Sequence, residues 1–453
     1  MKFRTLNPAT EKETAEFEFI GANELEKIIQ TAFVACNKRP PDFLHQRILC
    51  LQKLSELLIT EKEKLAQLIT LEMGKPIRES RAEIDKCSSL CRFYAENAET
   101  FLTPEKIISD TCVAEIFHEP LGIIAGIMPW NFPFWQTFRF AVPAILAGNS
   151  TLVKPAPNTP QCALACEQIF SESGFAKGIL QFIFLDVEDT ELLLADNRIA
   201  GVAITGSEQA GISVAQIAGK YLKKIVLELG GSDPFIVLDD ADLNQAAHTG
   251  IHSRFINGGQ SCIAAKRFMI HQKVYNEFRK NFCNEISNLS VGDPMDFKTM
   301  IGPMARKDLL DQLEKQVEEM ISSGGKIIAG GKRMLRKGFF FEPTIIELPL
   351  QDMNNFQSEI FGPVAVLSKF NSEKEAIQAA NNSKFGLGAT VFSCNEKRAD
   401  QIARQLDCGS VAINTMMKSN PAIPFGGIKR SGYGKELGKA GIMEFVNSKA
   451  IIR

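Results

Sequence analysis

The order of predicted helices and strands indicates an α/β protein built on two open sheets. From residue 121 onward, short apolar runs alternate with stretches of helical period, and a second alternating series begins at residue 235. Such alternation is typical of parallel strands joined by right-handed crossovers. The length of 453 residues also favours more than one domain, because single hydrophobic cores stop growing beyond about 250–300 residues.

The first hundred residues are predicted to be mostly helical. Apolar residues recur with helical spacing after Asn23 and again after Asp42, and both residue types cap helix N-termini. A third helix is expected to stop at Gly74 and Pro76, and a fourth runs from about residue 77 to 101.

The first alternating series supplies the elements of one sheet. Its strands are expected near residues 122–127, 150–153, 180–184, 201–204 and 225–229. Its helices are expected near residues 134–147, 159–173, 189–195 and 207–220. A sheet of this Rossmann-like kind binds dinucleotides beyond the carboxyl ends of its strands.

The second series predicts another α/β domain. Its strands are expected near residues 235–238, 326–329, 364–369 and 388–393, and its helices near 242–256, 273–288, 305–323, 372–381 and 396–406. We therefore expect a cofactor-binding domain over residues 1–110 and 119–229, and a catalytic domain over residues 230–414.

Composition argues against several classes of function. The net charge of −2 gives no field that favours nucleic acid, and no apolar run has the length of a membrane helix. The 11 cysteines lack a repeating spacing, which indicates reduced thiols and a cytoplasmic location. No signal peptide is expected. His248 and His252 have zinc-like spacing, but Thr249 replaces the glutamate of the metal motif, so no metal site is expected.

Three short motifs carry the chemistry. They are Gly259-Gln260-Ser261-Cys262, Leu227-Glu228-Leu229-Gly230-Gly231 and Pro129-Trp130-Asn131-Phe132-Pro133. Together they offer a thiol nucleophile, a carboxylate base and an amide that can hold an oxyanion. Oxidation of an aldehyde through a covalent thioester needs these three roles.

With these motifs, the chain resembles the aldehyde dehydrogenase superfamily, and within it the succinate-semialdehyde dehydrogenases. The matching segments occur in the family's order along almost the whole chain: Pro129–Pro133, Lys154-Pro155, Thr205–Ser207, Glu228–Gly231, Gly259–Cys262, Glu359–Pro363 and Pro424–Gly427. Each segment is a weak signal alone, and the ordered set is specific.

The resemblance implies a role for each catalytic candidate. Cys262 attacks the aldehyde, while the Asn131 side chain and the Cys262 amide hold the oxyanion. Glu228 activates the water that hydrolyses the thioester. The structural alternatives are a buried cysteine, a turn asparagine and a carboxylate in an ion pair.

The expected cofactor site departs from the common glycine fingerprint. Thr205-Gly206-Ser207 ends a strand and opens a helix, whose first amides can hold a pyrophosphate, although Ser207 alone is also an ordinary helix cap. The resemblance implies further contacts: Lys154 with the adenine-side ribose, Trp130 and Leu229 with the nicotinamide end, Glu359 with the nicotinamide ribose, and Phe361 nearby.

One departure concerns the choice of cofactor. The family often carries a glutamate after its Lys-Pro pair that binds the adenosine ribose, whereas this chain has Ala156 and Pro157. Without that carboxylate a 2′-phosphate becomes tolerable, but Pro157 offers no donor for it. NAD and NADP both remain open.

Substrate contacts are expected from residues around the active-site loop. Arg139 follows Asn131 by two helical turns and can bind a carboxylate, which suits a semialdehyde; the alternative is a salt bridge to another helix. Ser261 and Ser419 are expected to add hydrogen bonds, and Trp135 to wall the pocket.

A projecting arm is expected from residues 111–118 and 436–453. The resemblance implies that it pairs with another subunit in a homodimer or homotetramer, and an unpaired apolar edge would favour aggregation. Other functions left open are oxidation of another aliphatic aldehyde, an inactive cofactor-binding homologue, and a cysteine hydrolase without a cofactor.

Overall fold

The computed structural model describes residues 2–40 and 42–453, which form five sheets and the helices between them. The helices are α1 (Ala22–Asn37), α2 (Phe43–Thr60), α3 (Lys62–Met73), α4 (Ile77–Leu102), α5 (Pro133–Leu146), α6 (Pro160–Glu172), α7 (Thr190–Ala195), α8 (Glu208–Lys220), α9 (Leu243–Phe255), α10 (Tyr275–Ser287), α11 (Lys307–Ser322), α12 (Leu350–Asn355), α13 (Glu373–Asn381), α14 (Glu396–Ala403) and α15 (Gly438–Met443). In this part of the chain, none of them is long and apolar enough to cross a bilayer.

The strands complete the element order. They are β1 (Lys2–Asn7), β2 (Lys12–Glu18), β3 (Glu105–Ile108), β4 (Val113–Pro120), β5 (Ile123–Ile127), β6 (Ser150–Lys154), β7 (Leu180–Phe182), β8 (Ile199–Thr205), β9 (Lys224–Glu228), β10 (Asp233–Val237), β11 (Ala265–His271), β12 (Lys326–Ala329), β13 (Thr344–Glu347), β14 (Val364–Phe370), β15 (Phe385–Gly386), β16 (Gly388–Phe392), β17 (Ser410–Ile413), β18 (Ile428–Lys429), β19 (Gly432–Tyr433) and β20 (Val446–Ile452).

The first alternating series forms a six-stranded sheet in the order β19-β9-β8-β5-β6-β7. Its strands β5 to β9 are parallel, as the buried apolar runs predicted. The strand order reverses between β5 and β8, which pair in register from Ile124 with Gly201 to Ile127 with Ile204. The loops that follow these two strands therefore flank a switch point, where open sheets of this type bind ligands.

The second series forms a seven-stranded sheet in the order β12-β13-β14-β11-β10-β16-β17. Central strands β10, β11 and β14 are parallel and almost fully buried. The rings of Phe235 and Phe268 on adjacent strands lie 5.0 Å apart and help to fill the core on one face. The α/β prediction with two open sheets is thus confirmed.

The chain passes from one sheet to the other within a few residues. Strand β9 ends at Glu228 and β10 begins at Asp233. The C-terminal segment returns to the first sheet, where Gly432 of β19 pairs with Glu228. The connection between the two sheets and the C-terminal strand β19 therefore both lie next to Glu228.

The arm is a three-stranded antiparallel sheet in the order β20-β4-β3. Val446 pairs with Pro120 and Ile452 with Ala114. Ile108 and Ile452 are 72% and 69% exposed, so the sheet presents apolar side chains to solvent.

Several local expectations were wrong. Residues 2–18 contain the antiparallel pair β1 and β2, whose mostly exposed, polar sequence gave no clear strand signal. Helix α1 begins at Ala22 with Gly21 as its cap, so Asn23 lies inside the first turn. Asp42 stands at the N-cap of α2, but its side chain makes no capping hydrogen bond.

Candidate active site

A cavity of about 530 Å³ lies at the switch point of the first sheet, between the two sheets. Many residues expected from the sequence line it: Trp130, Asn131, Gly206, Ser207, Leu229, Cys262, Glu359 and Phe361. Residues of the three chemical motifs, although far apart in sequence, thus line one cavity, whereas Glu228 itself is not among its lining residues. Among the described residues no cluster of metal-ligating side chains occurs.

The loop before Cys262 has an unusual backbone. A short 3-10 segment, Ile256–Gly259, follows α9, and Asn257, Gly258 and Gly259 all have positive φ. A Cβ atom on Gly259 would lie 2.2 Å from the carbonyl oxygen of Gly362, so this position requires glycine.

Hydrogen bonds tie this loop to the motif that contains Asn131. The Asn131 side-chain amide donates to the carbonyl of Gln260 over 3.0 Å. Asn257 Nδ2 donates to the carbonyl of Asn131 over 2.8 Å, and its backbone amide donates to Glu79 over 2.7 Å. The Cys262 backbone amide has no hydrogen-bond acceptor in the described chain. This amide and the second Asn131 amide proton are therefore available to donate to a ligand in the cavity.

The surroundings of the Cys262 thiol favour its protonated form. Burial raises its pKa to about 12, while the charges of Arg139 and Lys266 act in the opposite direction. Lys266 is buried and donates to the Cys262 carbonyl over 2.6 Å and to the Ser261 carbonyl over 2.9 Å. This lysine holds the backbone at Cys262, a role that the sequence motif did not reveal.

Glu228 ends strand β9 and is only 2% exposed. Its Oε1 atom has no hydrogen-bond partner in the described chain. Burial raises the pKa of Glu228 to about 8, with a further increase from Glu436, whereas Arg139 and Lys435 lower it. A carboxyl group with a pKa near neutral and a free oxygen is suited to act as a base.

Arg139 lies on α5 in a buried ion pair with Glu436. Its NH2 group also donates to Thr205 Oγ1 over 3.3 Å, and its guanidinium carbon lies 4.7 Å from the centre of the Phe425 ring. The positive charge of Arg139 is therefore balanced by groups of the protein itself. The structure thus places Arg139 in the salt bridge that the sequence left open as the alternative to a carboxylate anchor.

Trp135 and Ser419 both contact Lys86, a residue that the sequence motifs did not identify. Lys86 Nζ donates to Ser419 Oγ over 2.6 Å and lies 4.0 Å from the centre of the Trp135 ring. The only sequence feature that could have identified Lys86 is its position between apolar residues of the α4 helix, such as Ile84 and Cys87, which are buried. Ser261 is buried beside Cys262, where its carbonyl accepts from Lys266.

The remaining cofactor candidates lie in different settings. Ser207 caps α8 by accepting from the Ala210 amide over 3.3 Å, and Trp130 packs edge-on against Phe361 at 5.8 Å. Glu359 Oε1 accepts from the Gly231 amide over 3.0 Å and lies 3.4 Å from Lys266 Nζ.

The strand that carries Lys154 ends beside the cavity. Lys154 is buried at the end of β6, and burial lowers its pKa. Ala156 packs near Trp130, and neither it nor Pro157 is among the residues lining the cavity.

Comparison with known proteins decides the family. The model of the aldehyde dehydrogenase family matches residues 1–451. The chain belongs to the aldehyde dehydrogenase family. It is 43% identical to a probable NADP+-dependent succinate-semialdehyde dehydrogenase of Synechocystis sp., over 100% of this chain and 99% of that protein. It is 41% identical to the NAD(P)+-dependent succinate semialdehyde dehydrogenase Sad of Escherichia coli, over 99% of this chain and 97% of that protein.

Solved structures show the same fold for this aldehyde dehydrogenase. The crystal structure of succinic semialdehyde dehydrogenase from Streptococcus pyogenes, in complex with NADP+, superposes with a TM-score of 0.97 at 35% identity. The match covers 99% of each chain. This agreement over nearly the whole of both chains shows that the enzyme shares the fold of that relative.

The amides and charges at the start of α8 show whether the cavity can hold the dinucleotide expected for an aldehyde dehydrogenase. The Glu208 and Gln209 amides at the start of α8 have no acceptor in the described chain, so they are available to a phosphate. The Glu208 side chain pairs with Lys384 and Arg430, and these two cations offset its negative charge at the edge of the cavity. The residues present therefore fit a dinucleotide.

Proposed function

We propose that this aldehyde dehydrogenase oxidises succinate semialdehyde to succinate with NADP+ or NAD+ through a thioester on Cys262. The observation that carries the proposal is the meeting of Cys262 and Asn131 in one cavity with the start of α8. The names of the full-length relatives support the same substrate and cofactor.

In the acylation half of this proposal, the Cys262 thiol gives its proton to water and its sulfur forms a bond to the aldehyde carbon. The resulting oxyanion accepts hydrogen bonds from Asn131 Nδ2 and the Cys262 amide. The oxidised nicotinamide, when bound, supplies the acceptor for the hydride that leaves this carbon. Arg139 and Lys266 favour the ionised thiol because their charges lower its pKa.

In the hydrolytic half, ionised Glu228 takes a proton from water while the water oxygen bonds to the thioester carbon. The carbon–sulfur bond then breaks, the acid leaves, and Cys262 is regenerated. A carboxylate with a pKa of about 8 is a stronger base than an ordinary glutamate, which suits it to this step.

Most residues proposed to contact the cofactor line the cavity, whereas Lys154 is proposed from the family resemblance. Gly206, Ser207 and the first amides of α8 hold the pyrophosphate, and Trp130, Leu229 and Phe361 line the nicotinamide end. Glu359 would bind the nicotinamide ribose, and Lys154 would bind the adenine-side ribose. The uncharged pair Ala156 and Pro157 leaves no carboxylate to repel a 2′-phosphate, which favours use of NADP+.

The arm is proposed to pair with another subunit in a homodimer or homotetramer. Its exposed Ile108 and Ile452 would be covered by such a contact. The cysteines are all unpaired, which supports a cytoplasmic enzyme.

A kinetic comparison tests the proposed function. Succinate semialdehyde and butanal have the same four-carbon length, and only the first carries a carboxylate. The proposal predicts a much higher kcat/KM for succinate semialdehyde, measured by the absorbance of reduced cofactor with NADP+ and then with NAD+. Equal values for the two aldehydes would indicate an enzyme for aliphatic aldehydes in general.

A further inference from the structure

Lys86 carries a positive charge next to two predicted substrate residues and has no acidic partner. It is half-buried on α4, and its ammonium contacts the Ser419 hydroxyl and the Trp135 ring. Among the described residues it takes part in no ion pair. An ammonium held by a neutral hydroxyl and an aromatic face can still accept an anionic ligand.

The carboxylates nearest to Lys86 in sequence are engaged elsewhere. Glu83 pairs with buried Lys75 and also accepts from the amides of Phe134 and Trp135, each over 3.0 Å. Asp85 pairs with Lys62 over 3.1 Å. Because both acids are committed to other groups, the charge of Lys86 is not neutralised within its helix.

Arg139 is a weaker candidate for the same role. Its guanidinium is already paired with Glu436 in the protein interior. A substrate carboxylate at Arg139 would have to compete with Glu436, whereas at Lys86 it would replace only a contact with a hydroxyl group.

The position of Lys86 agrees with the short length of the substrate. Trp135 lies in the first turn of α5, which begins two residues after Asn131, so the ring that contacts Lys86 and the proposed oxyanion donor belong to one short segment. Two methylene groups separate the aldehyde and carboxylate carbons of succinate semialdehyde, so its anchor must lie close to the reacting carbon.

A neighbouring crevice has the same sign of charge. It has a volume of about 380 Å³ and is lined in part by two cations, Arg78 and Lys418, by Ile256, and by one acid, Glu79, whose carboxylate accepts from the Asn257 amide. Neither cation forms an ion pair in the described chain, and both lower the pKa of His252. Lys418 precedes Ser419, and Ile256 opens the segment that leads to Cys262. An anionic substrate would therefore meet a favourable potential on this side of the enzyme.

We propose that Lys86 is the group that binds the carboxylate of the semialdehyde, with Ser419 donating a second hydrogen bond and Trp135 forming the wall. This inference rests on the proposed function. Burial lowers the pKa of free Lys86 to about 8, with an added effect from Arg139, so an incoming carboxylate would stabilise the charged form.

The test measures kcat and KM for succinate semialdehyde and butanal in the wild type and in Lys86→Met, Lys86→Arg and Lys62→Met. Lys62 also contacts α4, but through a part-buried ion pair with Asp85, and serves as the matched control. In Lys86→Met, kcat/KM for succinate semialdehyde should fall by roughly 10- to 100-fold, mainly through KM. The value for butanal should change much less, and Lys86→Arg should recover part of the loss.

The possible outcomes distinguish a failure of the role proposed for Lys86 from a failure of the proposed substrate. If the wild type strongly prefers succinate semialdehyde and Lys86→Met keeps that preference, Lys86 is not the anchor, while the proposed function stands. An equal loss for both aldehydes in Lys86→Met would show a structural role and overturn the inference. A wild-type enzyme without any preference would reject the proposed substrate, and the anchor with it.

Discussion

The base assigned to Glu228 can be tested through the pH dependence of turnover. With a pKa of about 8, raised mainly by burial, Glu228 is mostly protonated at neutral pH. About a tenth of the enzyme would carry the ionised base near pH 7 and about nine tenths near pH 9. If hydrolysis limits turnover, kcat should therefore rise by roughly tenfold across this interval.

Replacing Glu228 by Gln should remove this dependence together with most of the steady-state rate. Loss of a general base typically costs about 10²- to 10⁴-fold, so the variant should release one equivalent of reduced cofactor per active site and then turn over slowly. Stopped-flow absorbance of reduced cofactor resolves the burst and the later steady rate.

Glu72 lies near the end of α3, accepts from the Gln161 and Cys162 amides at the start of α6, and does not line the cavity. Because Glu72 is another buried carboxyl whose pKa burial raises to about 7, Glu72→Gln is a suitable control. It should retain the rise of kcat with pH even if it lowers stability. Steady turnover of Glu228→Gln at the wild-type rate, or the same tenfold rise in that variant, would refute the assignment.

Two further substitutions test the oxyanion donor and the buried ion pair. Asn131→Ala should lower kcat by about 10²- to 10³-fold with a smaller change in KM, measured by steady-state kinetics; an unchanged kcat would remove Asn131 from the mechanism. Glu436→Gln leaves Arg139 buried without its partner and should lower the free energy of unfolding by about 3–5 kcal/mol in urea titrations. Unaltered stability would show that solvent or another group compensates Arg139.

The architecture was largely predictable because its signal is local. Buried parallel strands are continuous apolar runs, and the five parallel strands of the first sheet, β5 to β9, lie within a few residues of their predicted positions. The pair β1 and β2 escaped prediction because its side chains are mostly exposed and polar, so no apolar alternation marks it.

The cavity was predictable only where chemistry follows from short motifs. Cys262, Glu228 and Asn131 each stand in such a motif, and the structure brings Cys262 and Asn131 to one cavity. Contacts between residues that are far apart in sequence produce no comparable sequence motif. Glu436 lies far along the chain from Arg139, and Ser419 is 333 residues from Lys86. Periodicity cannot report which charges neutralise each other across such separations, and this is why Arg139 was favoured as the anchor.

The central claim is that the substrate becomes covalently attached to Cys262, and mass spectrometry tests it most directly. Glu228→Gln enzyme would be mixed with succinate semialdehyde and NADP+, quenched in acid during the burst, and digested. The account predicts a succinyl group on the peptide that contains Cys262, with the other cysteine peptides unmodified. A full burst of reduced cofactor without that group on Cys262, or with it on a different cysteine, would contradict the account.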